Sequence, residues 1–196
     1  MTVRQRRRLA RGLVAASGVL MAAMAVGWWS SWSGGLLMVA QVLHHPLLFG
    51  LSVVAALTAA VFLGVRNVVI RVLSAVTAGL IAFFAVPLAL FASSGQEVTT
   101  DEAAPGRSDR RLVVEEGADL IDPLWWVYVD EGSGLAKRRW QVGYFNGDVG
   151  ANVLVEAAWE GPDRIRLVTG EEEEARVHLV DLRPGTGEPL RTISMD

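Results

Sequence analysis

The chain of 196 residues has no cysteine. That excludes disulfides, thiolate metal sites and thiol nucleophiles, and it fits any redox compartment. Acid is missing from residues 1–95, which hold no Asp or Glu but seven arginines: Arg4, Arg6, Arg7, Arg8, Arg11, Arg66 and Arg71. Lysine is nearly missing everywhere, at one residue against 17 arginines. With abundant Ala, Gly and Val, that bias reads as the codon usage of a GC-rich bacterial genome rather than as a function. The tail has no concentrated basic face, which argues against nucleic-acid binding.

What is present divides in two. Mean hydropathy is +0.35, too apolar for a purely soluble chain of this length. Residues 96–196 hold all 21 acids and the other 11 basic residues. The net charge of −3 therefore averages a basic, apolar half with an acidic, mixed half, and the split predicts separate environments.

A hydrocarbon core of roughly 30 Å takes about 20 helical residues. Three runs qualify, at 9–29, 36–65 and 72–93. Five arginines precede or open the first run, none lies between the first two, and Arg66 and Arg71 bracket the turn between the second and third. The next basic residue is Arg107. The positive-inside rule then predicts a multi-pass protein of the cytoplasmic membrane. Its N-terminus and turn 66–71 would be cytoplasmic, and its loop 30–35 and tail extracytoplasmic. Trp28, Trp29 and Trp32 cluster at the outer end of the first run, where an indole N–H stays wet. The first run also has a rival reading as a signal peptide. Ala23-Met24-Ala25 could be its cleavage site, and the arginine-rich start is faintly twin-arginine-like. The apolar stretch nevertheless continues through Trp29 without a polar region before the cut.

His44 and His45 lie inside the second run. Counting back about 20 residues from Val65 reaches Pro46, so the membrane core is expected at 46–65 and residues 33–45 as a surface-lying extension. The two histidines then sit at the outer headgroup level. They are read as interfacial and open to water, with extracytoplasmic pH sensing as a candidate role because histidine titrates near neutrality. A metal or haem site is the weaker alternative. Adjacent helical residues point about 100° apart, and no Cys, Asp or Glu elsewhere in this half completes a shell. No cofactor is expected. The spans carry no central charge, and Gln41 and Thr77 are too little for an ion pathway. Ala56, Ala60 and Gly64 form one ladder of small residues, and Ser74, Ala78 and Ala82 form another. They are candidates for the packing seam of an antiparallel pair.

The tail changes period. Residues 94–109 (SSGQEVTTDEAAPGRS) are small, polar and acidic, and read as a flexible linker. Residues 110–196 then alternate short apolar runs with turns. The runs are LVV at 112–114, LWWVYV at 124–129, RWQVGYF at 139–145, VLVEAAW at 153–159, RIRLVT at 164–169, RVHLVDL at 176–182 and LRTIS at 190–194. About seven strands are expected, as an antiparallel meander or small sandwich-like sheet. Trp140, Val142 and Tyr144 are read as one core face. Val153, Val155, Ala157 and Trp159 are read as another, together with Ile165 and Leu167. Glu171–Glu174 reads as a solvated loop, with cation binding as the lesser alternative. Asn146-Gly147-Asp148 reads as a turn. Lys137-Arg138-Arg139 could meet anionic headgroups or a partner. His178 stands alone, and no acids are placed as a catalytic pair. The fold class is thus a membrane α-helical protein with three transmembrane helices and a small all-β antiparallel extracytoplasmic domain.

The segments IDPLWWVYVDEGSGLAKRRWQVGYFNGD and WEGPDRIRL resemble small integral membrane proteins of actinobacteria. These carry a few N-terminal helices and a short extracytoplasmic β-domain, and have no assigned activity. The likeness covers about 60 residues and consists of turns and tryptophans. Relatives often begin the β-domain with a Ser-Pro-Asp-Gly turn, where this chain has Ser108-Asp109-Arg110-Arg111. The resemblance implies a fold and a location. The leading functional expectation is a membrane-anchored extracytoplasmic binding module, in contact with the lipid bilayer and a membrane or envelope protein partner. The alternative is a helical subunit of a transport or envelope-assembly complex with the β-domain as a lid. An envelope-acting enzyme comes third.

Overall fold

The computed structural model describes residues 1–92, 95–119, 122–170 and 175–195. The chain divides into a helical unit, Met1–Trp29 with Val39–Ser93, and a β unit, Ser30–Met38 with Ser94–Asp196.

The helices are α1 (Val3–Ser30), α2 (Leu37–Leu43), α3 (Pro46–Gly64) and α4 (Val68–Ala92). By length and composition, α1, α3 and α4 over Val68–Leu88 can each cross a membrane. The run expected at 36–65 is two helices, broken at His44-His45. Pro46 causes the break: it has no N–H to donate back into α2, and it disfavours helical geometry at the residue before it. His45 accordingly sits at φ −122°, ψ 73°, and Pro46 opens α3, where its missing N–H costs nothing. The turn between α3 and α4 is tied by two bonds. The Val69 N–H donates to Asn67 Oδ1 at 2.9 Å, capping α4, and Arg71 Nε donates to the Val65 carbonyl at 2.7 Å.

Among the described residues the β unit forms two sheets. The larger runs in the order β1 (Gly35–Leu36), β5 (Arg138–Asn146), β4 (Asp122–Glu131), β3 (Arg107–Asp119), β2 (Glu97–Ala104), and β9 (Ile193–Met195) also pairs with β5. The smaller runs β6 (Leu154–Gly161), β7 (Arg164–Thr169), β8 (Arg176–Asp181). All pairings are antiparallel except β5 with β9. Leu112, Val114, Trp125, Val127, Val129, Val142 and Phe145 of the large sheet form one buried cluster with Ile165, Leu167, Val180 and Leu182. Burial of these apolar side chains is the main source of the unit's stability.

Four expectations are corrected. Residues 97–104 are not a linker but strand β2, joined to β3 by a two-residue turn at Pro105-Gly106. Gly106 has φ +74°, the left-handed geometry a turn with Pro before Gly requires. Tyr144 does not join Trp140 and Val142 in the core. A β-bulge at Val142, opposite the Val127–Tyr128 step, shifts the alternation so that Phe145 turns inward instead, as an extra residue must. Val155 is 62% exposed for the same reason, a bulge between Leu154 and Glu156. The last strand is shorter than expected, beginning at Ile193 rather than Leu190. The acidic run Glu171–Glu174 lies outside the described residues.

Candidate functional site

The face of the large sheet turned away from the smaller sheet carries the densest chemistry of the β unit. Alternation along β4 sends Trp125, Val127 and Val129 into the core, so Trp126, Tyr128 and Asp130 point the other way. Register aligns neighbours beside them in three rows. Trp126 lies between Glu115 and Tyr144, Tyr128 between Val113 and Gln141, and Asp130 between Arg111 and Arg139.

Arg139 organises this face. It donates to both Asp130 oxygens, at 2.7 and 3.1 Å, and to Glu115. Its guanidinium lies 4.8 Å from the Tyr128 ring centroid, within cation–π range. Asp130 is 2% exposed and also receives Lys137 Nζ at 3.0 Å. Burial alone would lower the Arg139 pKa, but the hydrogen bonds and charges of Asp130 and Glu115 raise it above the ordinary arginine value. Burial pushes the Tyr128 phenol up to about 12, with the charge of Glu115 adding to the effect and Arg139 opposing it. Tyr128 is therefore a neutral hydroxyl across the physiological range. Trp126 and Tyr144 meet at 5.8 Å between ring centroids, tilted by 46°. The result is a pair of aromatic rings beside a locked arginine–carboxylate network. Its acids Asp130 and Glu115 are held by Arg139, and Asp130 also by Lys137.

A second polar cluster lies at the ends of the strands. Arg110 is fully buried. It pairs with Glu131 and Asp163 and donates to the carbonyls of Pro162 at 3.0 Å and Pro184 at 2.9 Å. Arg107 holds the other Glu131 oxygen at 2.7 Å and the Pro184 carbonyl at 2.7 Å. One arginine thus fastens the end of β4, the β6–β7 turn and the loop after β8. No sequence signal marked it, because an arginine among polar neighbours reads as surface.

Comparison with known family models, curated proteins and solved structures returns no match.

The residues singled out from sequence are placed as follows. The His44 N–H still donates to Ala40 at 2.7 Å, while the His45 carbonyl accepts from Phe49 at 3.0 Å. One histidine therefore closes α2 and the other opens α3. The His44 ring stands 5.8 Å from Trp28, and His45 is exposed. Among the described residues no three His, Cys, Asp or Glu are grouped as a metal site. Ser74 and Ala78 line a hollow between α3 and α4, opposite Val54, Leu57, Thr58 and Val61. Ala82 is half-buried farther along α4. The other ladder points elsewhere. Ala56 is half-buried and Ala60 is 7% exposed, whereas a Cβ on Gly64 would meet Ala10 of α1 at 3.4 Å. Positions four apart drift about 40° per step on a helix, so the α3 ladder rotates out of the α3–α4 hollow and towards α1. His178 contacts Thr169 Oγ1 at 3.1 Å, and burial, then Arg191 and Arg176, lower its pKa. Asn146 Oδ1 accepts the Asp148 N–H at 3.2 Å, which is an Asx turn.

Proposed function

We propose that this chain is a membrane-anchored interaction module, in which apolar helices hold the β unit at the extracytoplasmic surface of a bacterial cytoplasmic membrane. The observation that carries the reading is the outer face of the large sheet: Trp126, Tyr128 and Tyr144 beside the Arg139–Asp130–Glu115 network. Aromatic and arginine side chains supply most of the energy at protein–protein contacts. The network fixes their positions before a partner arrives, which cuts the entropy cost of binding. A membrane or envelope protein is the partner this face suits. The orientation is supported by the arginines at the N-terminus and the 66–71 turn.

A second reading makes the helices the working part, as a subunit of a membrane complex. The hollow between α3 and α4 favours it, because a small-residue face admits a neighbouring helix closely.

Affinity capture of the full chain from detergent extract separates the two. Under the first reading, Trp126→Ala with Tyr144→Ala removes the captured membrane partner, and Ala78→Leu leaves it bound. The opposite pattern overturns the first reading in favour of the second.

A further inference from the structure

We infer that the tip of the β4–β5 hairpin, residues 132–138, docks on the surface of an anionic phospholipid bilayer. Leu135 enters the headgroup layer and Arg138 meets lipid phosphate. The inference rests on the reading that the apolar helices cross a membrane, and it adds a second, lipidic partner to the β unit.

The first argument is chain length. α1 ends at Ser30 and α2 begins at Leu37. Within that interval the Gly34 N–H donates to the Arg139 carbonyl at 2.7 Å, and the Leu37 N–H donates to the Lys137 carbonyl at 2.9 Å. Six residues of extended chain span at most about 20 Å. The start of β5 is therefore bound to the short segment that follows the candidate span α1, and Leu135 lies two residues from Lys137.

The second argument is the tip itself. Leu135 is 79% exposed, on a single short turn of 3-10 helix, Gly134–Ala136. Gly132 at φ +89° and Gly134 at φ +56° shape that turn. An apolar side chain held out at the end of a hairpin gains free energy by entering an interface.

The third argument is charge. Residues 96–196 are acidic overall, yet Lys137-Arg138-Arg139 is an uninterrupted basic run at this point. Lys137 and Arg139 are held by Asp130. Among the described residues Arg138 makes no ion pair, and its guanidinium reaches only the Gly34 carbonyl, at 3.4 Å. An exposed leucine beside an un-neutralised arginine fits an anionic lipid surface, where each basic residue adds affinity.

Because the chain has no cysteine, single labels are clean. The full-length protein with Leu135→Cys or Val149→Cys carries a polarity-sensitive dye in nanodiscs of neutral or part-anionic phospholipid. Val149 is 53% exposed and lies past the far end of β5, about 30 Å along a nine-residue strand. In anionic nanodiscs the dye at position 135 should shift to the blue and be quenched by headgroup spin labels. Arg138→Glu should weaken that quenching, and the dye at 149 should stay aqueous. Aqueous emission at 135 in both lipids overturns the docking. Quenching that ignores both lipid charge and Arg138→Glu overturns the phosphate contact. A chain that stays out of the nanodisc fraction overturns the membrane reading itself.

Discussion

Arg110 is the residue on which the ends of the β unit depend. Its side chain is fully buried and serves Glu131, Asp163 and two loop carbonyls. Removing one partner of a buried pair leaves the other charge poorly solvated. Arg110→Ala should destabilise the β unit by about 3 kcal/mol, at the lower end of the range because Arg107 still holds Glu131. Chemical denaturation followed by tryptophan fluorescence measures it. Arg111→Ala is the control. Its pair with Asp101 is solvent-exposed, and such pairs contribute little, so its midpoint should barely move. Tyr128 gives a second test at this scale. Its phenol is raised to about 12, above the ordinary value near 10, so the fold favours the neutral form. The resulting stability is fully present below about pH 10 and is lost as pH rises towards 12. Tyr128→Phe should flatten the loss of stability across that window. Only two tyrosines are present, so ultraviolet titration of the variant assigns the missing high-pH transition.

At the scale of elements, β1 is the smallest strand and the most informative. It pairs Gly35 with Arg139 and Leu36 with Arg138. Gly34 has φ +83°, and a Cβ there would lie 2.4 Å from the Trp140 ring. Gly34→Ala is therefore strained in both backbone and packing, and should cost more than about 1 kcal/mol. Hydrogen exchange should show the Leu37 amide losing protection while the β6–β7 amides keep theirs. Nothing in the sequence marked β1, since a glycine-rich pair between two apolar runs reads as loop. β2 escaped for the opposite reason: EVTTDEAA is an edge strand, exposed at most positions, and it lacks the apolar alternation that identifies a half-buried strand. The Pro105-Gly106 turn was the available clue. Strands with buried faces, such as LWWVYV and RIRLVT, were legible because the core imposes alternation on them. The bulges at Val142 and Val155 were not, because a bulge depends on the partner strand. The Trp126–Tyr144 pair of the candidate site was hidden by that first bulge.

For the whole molecule, the order of strands and helices constrains the path through a bilayer. β1 belongs to the segment between α1 and α2, and it pairs with β5 of the tail. Two stretches of one sheet lie on one side of a membrane. Between them the chain passes through α3 and α4, two helices able to span. Two crossings return the chain to its starting side, so the pairing and the helix count agree. On the proposed topology α1 makes a third crossing, and the arginine-rich N-terminus and the Arg66–Arg71 turn fall on one side of the membrane. The positive-inside rule assigns the same partition from charge alone. The β1–β5 pairing and the placement of the arginines thus support the proposed topology from two separate directions. Alkaline phosphatase fused after the last residue should be active and a fluorescent protein there dark, with the reverse at Asn67. A bright C-terminal fluorescent fusion would reject the orientation. The same reporter sign at both sites would reject a crossing by α4, and with it the pair of crossings between β1 and β5.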